Sequence, residues 1–278
     1  MSYQPDPYTN NSFQDNPRKP VHPLDQPPPQ PPSPPPKGPL PPAQPRPRIE
    51  VPSSPPVMTY VILGILIVVF LVDYLSGGQL TRVGVKDNTA LLAGQYWRLI
   101  TPIFLHANIV HIGLNGYFLY LIGPQVERAF GTPRFTAIFM LSGIAGVLAS
   151  FAFSSYDSLG ASGALFGLIG ALIPFLYRNR KIMTNTQRYM RNIILVIVVN
   201  LLIDVVPGLN IDYWAHLGGL AAGLLLAWFI TPLYAVTTAT FELVRIEDRT
   251  PQSLTWTAVT VMTGVLAGVF LLLLQIKG

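Results

Sequence analysis

The sequence predicts an all-α membrane protein, a polytopic helical bundle with seven transmembrane helices. Three observations carry that prediction. Half of the 278 residues are hydrophobic and only 11% are charged, against roughly 25% charged in ordinary soluble domains. Several apolar stretches approach or reach the roughly 20 residues that cross a bilayer as a helix. Lysine and arginine are distributed unevenly over the connections between those stretches, as they are where loops alternate between the two sides of a membrane.

Residues 1–56 hold 21 of the 28 prolines, including PPPQPPSPPP, and almost no clustered apolar side chains. Such a segment cannot bury enough surface to offset its ordering entropy, so a disordered tail with polyproline II character is expected. It carries no apolar run of the signal-peptide kind, and the first span is expected to serve as its own targeting signal. The apolar spans then follow at 57–75, 109–126, 135–153, 162–177, 192–207, 214–231 and 254–275. The expected organisation is a 1–56 tail, a six-span core over 57–231, and a linker with an additional C-terminal helix over 232–278.

Fourteen of the 18 basic residues fall in the tail and in the connections after the second, fourth and sixth spans. Arg82, Lys86, Arg98 and Lys277 are the four on the other side. That bias predicts a cytoplasmic N-terminus, an extracytoplasmic C-terminus and a position for Ser162 near the outer face. The net charge of +5 is therefore read as topological and not as a nucleic-acid footprint. With no cysteine in the chain, disulfides, thiolate metal sites and a thiol nucleophile are excluded.

The 76–108 connection is long and holds Leu91, Leu92, Tyr96, Trp97, Leu99, Ile100, Phe104 and Leu105. So much apolar surface on a membrane face predicts a loop in the interface, with Tyr96 and Trp97 at headgroup level.

Polar residues inside the spans are the candidates for chemistry, because ionisable groups are costly in a bilayer. His111 and Asn115 are four apart and share a face of the second span, Ser162 begins the fourth, and His216 lies about one turn into the sixth. Drawn on the predicted topology, all four fall at one depth. A hydroxyl, an imidazole and two further donors are the parts that acyl transfer needs: nucleophile, general base and oxyanion stabilisers. Gly163, Gly167 and Gly170 on the fourth span, with Gly219 and Gly223 on the sixth, form small-residue stripes that allow backbone-to-backbone helix packing. Close packing of that kind is what a hydrogen bond between Ser162 and His216 requires, although helix packing alone also accounts for such stripes.

These residues resemble the rhomboid intramembrane serine proteases. The resemblance rests on YWRLITPIFLHANIVHIGLN, with its W-R and H-x4-H-x3-N, and on E-x3-G at Glu127–Gly131 followed by Arg134 and Phe135. It continues through G-A-S-G-A at 160–164 and A-H-x-G-G-x3-G at 215–223. It implies a rhomboid-like six-helix core plus a seventh transmembrane helix. Ser162 would be the nucleophile and His216 the base, in a dyad without an acidic third member. Asp212, four residues before His216, is not expected to orient it, since the family uses no carboxylate there.

The same resemblance makes His111 and Asn115 oxyanion donors together with the Ser162 backbone N–H, and sets Phe166 against the base imidazole, where an isolated phenylalanine would be ordinary core. Gly160, Gly163 and Gly219 match family glycines, and Trp97 and Arg98 would fix the long connection, with interfacial anchoring as the simpler reading. His106 is read as structural, and Glu127 as a brace at the cytoplasmic end of the second span.

No metal and no organic cofactor is implied. The expected partners are single-span transmembrane substrates and the lipid bilayer, and the expected location is the bacterial cytoplasmic (inner) membrane. Two other readings stay open on the residues: a non-catalytic membrane chaperone or scaffold of the same fold, and a transporter whose intramembrane histidines line a pathway.

Overall fold

The computed structural model describes residues 48–278, apart from 51, 207, 209, 210 and 240–242. The proline-rich run of the tail lies outside the described residues. Nine α-helices are present among them: α1 (Val57–Leu75), α2 (Gln79–Gly84), α3 (Asn88–Leu92), α4 (Ile109–Phe130), α5 (Thr132–Phe153), α6 (Ser162–Arg178), α7 (Thr186–Asp204), α8 (Tyr213–Ile230) and α9 (Gln252–Lys277). By length and composition α1, α5, α7, α8 and α9 can cross a membrane, and α6 is a shorter apolar helix of 17 residues. α4 is 22 residues long and carries His111, Asn115, Gln125, Glu127 and Arg128 on an otherwise apolar helix. The chain is an all-α polytopic membrane protein.

α5 is the most enclosed of the five, with 67% of its apolar stretch buried, whereas α7 is the least, with 6%. α5, α6 and α8 pack directly against one another, and the contact of α6 with α8 is the most extensive in the fold. Glycine makes it so. A Cβ on Gly219 would fall on the carbonyl oxygen of Gly163, and one on Gly223 would fall on that of Gly167. In lipid there is no hydrophobic drive between helices, so close backbone approach and dispersion hold this pair together.

Helix ends are secured by side chains reaching across the fold. Glu127, fully buried near the end of α4, accepts hydrogen bonds from Met58 N (2.9 Å), Thr59 N (2.7 Å) and the Thr59 hydroxyl (2.7 Å). These N–H groups open α1 and have no intrahelical partner. A fourth bond, from the Thr132 hydroxyl at 2.8 Å, ties the same carboxyl group to the start of α5. Gly131 joins α4 to α5 at φ +81°, a backbone conformation that side chains disfavour. Glu127 is thus the brace expected there.

The connection after α1 is built of α2, α3 and two short 3-10 turns, Tyr96–Leu99 and Thr101–Phe104. Leu91, Ile103 and Leu105 point inward, while Tyr96 and Trp97 are each about half exposed. Buried Arg98 holds the turns together, donating to Gln95 Oε1 (2.8 Å), Val85 O (2.6 Å) and Arg82 O (3.0 Å). Trp97 adds an indole N–H bond to Val83 O at 2.8 Å. Fixing the loop is therefore what Arg98 does, and Trp97 combines that role with exposure.

Two features depart from the sequence reading. Residues 48–50, inside the tail expected to be disordered, form β1 (Arg48–Glu50), and the expected linker folds into β2 (Tyr234–Ala239) and β3 (Leu243–Asp248). The sheet order is β1-β3-β2, with β1 parallel and β2 antiparallel to β3. Pairing satisfies backbone groups that an irregular linker would leave to water. The sheet is fastened to the bundle by Arg134 on α5, 2.6 Å from Asp248 Oδ2, and by Asn179 just past α6, which bonds Pro232 O and Tyr234 N, each at 2.9 Å. It caps the end of α6 away from Ser162, about 25 Å distant at 1.5 Å per helical residue. Burial pushes the Asp248 carboxyl upward, but the Arg134 guanidinium and the Thr250 N–H together hold it below its ordinary value.

Candidate active site

Ser162 is the first residue of α6, and the residue before it, Ala161, supplies no side-chain cap. α4 and α8, in contrast, are capped by Asn108, which accepts from His111 N at 2.9 Å, and by Asp212, which accepts from Ala215 N at 3.1 Å. The opening N–H groups of α6 are left without a side-chain acceptor in front of the serine hydroxyl, and the helix dipole favours negative charge there.

His216 lies one turn into α8 and is buried. Its Nε2 is 2.7 Å from Ser162 Oγ, within the reach of a nucleophile and its base. Phe166, one turn along α6 from Ser162, stacks on the imidazole with centroids 4.4 Å apart and planes at 18°. The glycine contacts described above set this distance, because Gly163 and Gly219 neighbour Ser162 and His216 on the two helices.

His111 reaches the same place from α4. Gly160 takes φ +125°, and a Cβ there would sit 2.7 Å from His111 Nε2 and 3.8 Å from Ser162 Oγ. That glycine leaves open the space between the imidazole and the hydroxyl. Asn115 is buried one turn further down the same face, its amide donating to His111 O at 3.0 Å. His106 sits edge-to-face with His111, centroids 5.1 Å apart, and both of its ring nitrogens are buried without a hydrogen-bond partner. Burial, reinforced by neighbouring His111, lowers His106 to about 4.

On the far side of the imidazole the structure places a neighbour that the sequence reading did not single out. Nδ1 of His216 is 2.6 Å from Oδ2 of Asp204, the last residue of α7, and both side chains are buried. The imidazole thus lies between a hydroxyl and a carboxyl group. Asp212 is not that carboxyl group, since it caps α8. An aspartate at the end of a membrane helix reads in sequence as an ordinary interfacial residue, and nothing in its spacing from His216 is periodic.

Lys86 was also invisible as a structural part. Fully buried, it donates from Nζ to Tyr156 O (2.6 Å) and Ser154 O (3.3 Å), and its backbone exchanges hydrogen bonds with Ser158. Together with the bond from Gly160 N to Pro102 O (2.8 Å), it clamps the long connection onto the segment that leads to Ser162. Burial lowers the Lys86 ammonium from its ordinary value, against the opposing pull of Asp212.

A helical membrane protein with a half-buried serine at the head of a short helix, hydrogen-bonded to a buried histidine of the neighbouring helix, is the class that this fold and site define. The Rhomboid domain family matches residues 93–233, half of the chain. The chain belongs to the rhomboid family.

It is 40% identical over 180 residues to Rhomboid protease GluP of Bacillus subtilis (strain 168), covering 63% of this chain and 35% of that protein. RHOMBOID-like protein 1 of Arabidopsis thaliana is 40% identical over 163 residues, or 57% of this chain and 41% of its own. The putative rhomboid protease YdcA of Bacillus subtilis is 38% identical over 144 residues, or 51% of this chain and 70% of its own. The first two matches span about a third to two-fifths of those relatives' length.

Proposed function

We propose that the chain is an intramembrane serine endopeptidase that hydrolyses peptide bonds within or next to the transmembrane helices of single-span membrane proteins. The observation that carries this reading is the 2.7 Å contact between Ser162 Oγ and His216 Nε2 at the uncapped start of α6. The printed names of GluP and YdcA support it. In this reading Nε2 takes the hydroxyl proton as Ser162 Oγ attacks the scissile carbonyl carbon, and returns it to the leaving amine as the C–N bond breaks. Water, activated by the same nitrogen, then releases the acyl group. The oxyanion is met by the Ser162 N–H and by His111, with Asn115 turning its amide from its own helix toward the charge. A substrate helix must unwind locally, since its peptide bonds are shielded by its own hydrogen bonds.

The uneven spread of Lys and Arg supports a site near the outer face of a bacterial cytoplasmic membrane, where water is within reach, with the N-terminus inside and the C-terminus outside. The test is incubation of the purified full chain with a reporter transmembrane substrate, alongside Ser162→Ala and His216→Ala. Cleavage and fluorophosphonate labelling are expected in the wild type alone. Cleavage that persists in both variants overturns the reading.

A further inference from the structure

The end of the bundle away from Ser162 holds a polar cavity that the chemistry above does not use. About 170 Å³ in volume, it opens between the segment before α1, with Ser53 and Ser54, the turn from α4 into α5, with Arg128, Gly131 and Arg134, and Asp248 of the sheet. We propose that this cavity binds a phosphate group, and its level in the fold favours the headgroup of an anionic phospholipid as the carrier. The inference is independent of the proposed protease activity.

The two arginines supply the donors. Arg128, in the last turn of α4, is exposed and has no hydrogen-bond or ion-pair partner among the described residues. Arg134, in the first turn of α5, has 11% side-chain exposure and makes one bond, from Nη1 to Asp248 Oδ2 at 2.6 Å. A guanidinium carries five N–H donors in a planar fork, and the rest of those on Arg134 have no partner among the described residues. Polar groups so enclosed are normally paired. The fork matches the oxygens of a phosphate, which it can bind through two parallel bonds.

Asp248 is the one carboxylate among the described lining residues, and its charge is already met. Besides Arg134 it accepts from Leu233 N at 3.1 Å and Thr250 N at 2.8 Å. Two arginines against one aspartate leave the lining with one net positive charge. Further donors stand beside the arginines in the hydroxyls of Ser53 and Ser54, the latter 3.6 Å from where a Cβ on Gly131 would stand. Gly131 caps α5 without a side chain, and the first turn of that helix holds no acidic residue to compete for the place.

The level of the cavity points to the carrier. α1 begins at Val57, α4 ends at Phe130, α5 begins at Thr132 and α8 ends at Ile230. Helices that start and stop together mark one boundary of the membrane, and here it is the boundary to which the connections rich in Lys and Arg belong. Headgroup phosphates lie at that height, and a basic residue beside an anionic surface raises affinity about fivefold. The volume is below the roughly 300–1,000 Å³ of pockets that enclose a drug-sized ligand. It suits a headgroup phosphate whose acyl chains stay in the bilayer.

The test follows the melting temperature of the purified full chain in detergent as short-chain phosphatidylglycerol or inorganic phosphate is added. A saturable rise is expected with phosphatidylglycerol. In Arg128→Ala the apparent affinity should fall about fivefold or more, and in Arg128→Glu the rise should vanish, because the new carboxylate takes the place of the anion. Arg188→Ala removes the same charge from an exposed position in the first turn of α7, on the same side of the membrane, and should bind as the wild type does.

A rise with phosphatidylglycerol alone supports the site and makes the lipid its ligand. An equal rise with inorganic phosphate, lost in Arg128→Glu, supports the site and makes the free anion its ligand. The inference is overturned if neither source gives a saturable rise, if Arg128→Glu binds within twofold of the wild type, or if Arg188→Ala weakens binding as much as Arg128→Ala. Because binding is read without proteolysis, each result bears on this cavity and leaves the reading of Ser162 and His216 untouched.

Discussion

Gly219→Ala offers a direct test of how the site is held. A Cβ at this position would land far inside van der Waals contact with Gly163 O and 3.0 Å from Gly163 Cα, and both are backbone atoms that cannot rotate aside. Ordinary contact requires α6 and α8 to part by on the order of 1 Å. Overpacking of this kind costs about 1–3 kcal/mol. The same displacement stretches the 2.7 Å contact between Ser162 and His216 beyond hydrogen-bonding range, and a misplacement of about 1 Å is worth roughly 10²-fold in rate.

The assay is the second-order rate of fluorophosphonate labelling at Ser162, measured with a thermal melt of the same detergent sample. Gly264→Ala on α9 is the control, because a Cβ there meets nothing within 4 Å, and it should leave both readings unchanged. Wild-type labelling and melting in Gly219→Ala would refute the claim that glycine contact sets the distance. A lowered melt with wild-type labelling would refute the coupling between packing and chemistry.

Two further outcomes follow from the framework around the site. Glu127→Ala leaves the N–H groups of Met58 and Thr59 without their acceptor and should destabilise the protein by about 2–3 kcal/mol, read as a lowered melt and as faster amide exchange at the start of α1. Because His106 is held near 4 in the folded protein and returns to about 6.5 on unfolding, its neutral form contributes no penalty above pH 6.5. Stability should then fall as pH drops from 6.5 toward 4, by up to about 3 kcal/mol. His106→Phe should show a shallower decline in melting temperature over that window, and parallel curves for the two proteins would contradict this.

How much of this was legible in the sequence depends on whether a residue's role is local. Ser162, Phe166 and His216 sit at helix starts or one turn in, where helical spacing fixes which face they share, and the structure brings them together. Arg98 and Glu127 were marked by motif and prove to be braces. Asp204 was not legible, because it meets His216 from a different helix at a separation of 12 residues, a pairing no periodicity specifies. Lys86 finds its acceptors about 70 residues away, a pairing set by tertiary closure alone. The sheet was missed for a related reason: β1 is three residues long and needs β3, nearly 200 residues on, to exist. α7 begins six residues earlier than hydropathy suggests, since TQRYMR is polar enough to read as loop yet continues the helix.

The close glycine contact of α6 with α8 has a mechanical meaning. Ser162 and His216 ride on two backbones that touch, so they behave as one stiff part. Asp204 arrives on α7, a helix that has more contact with its surroundings than with the protein. For a helix of this kind the bilayer is the mould that keeps it upright. The solvent of this protein is therefore also a piece of its scaffold.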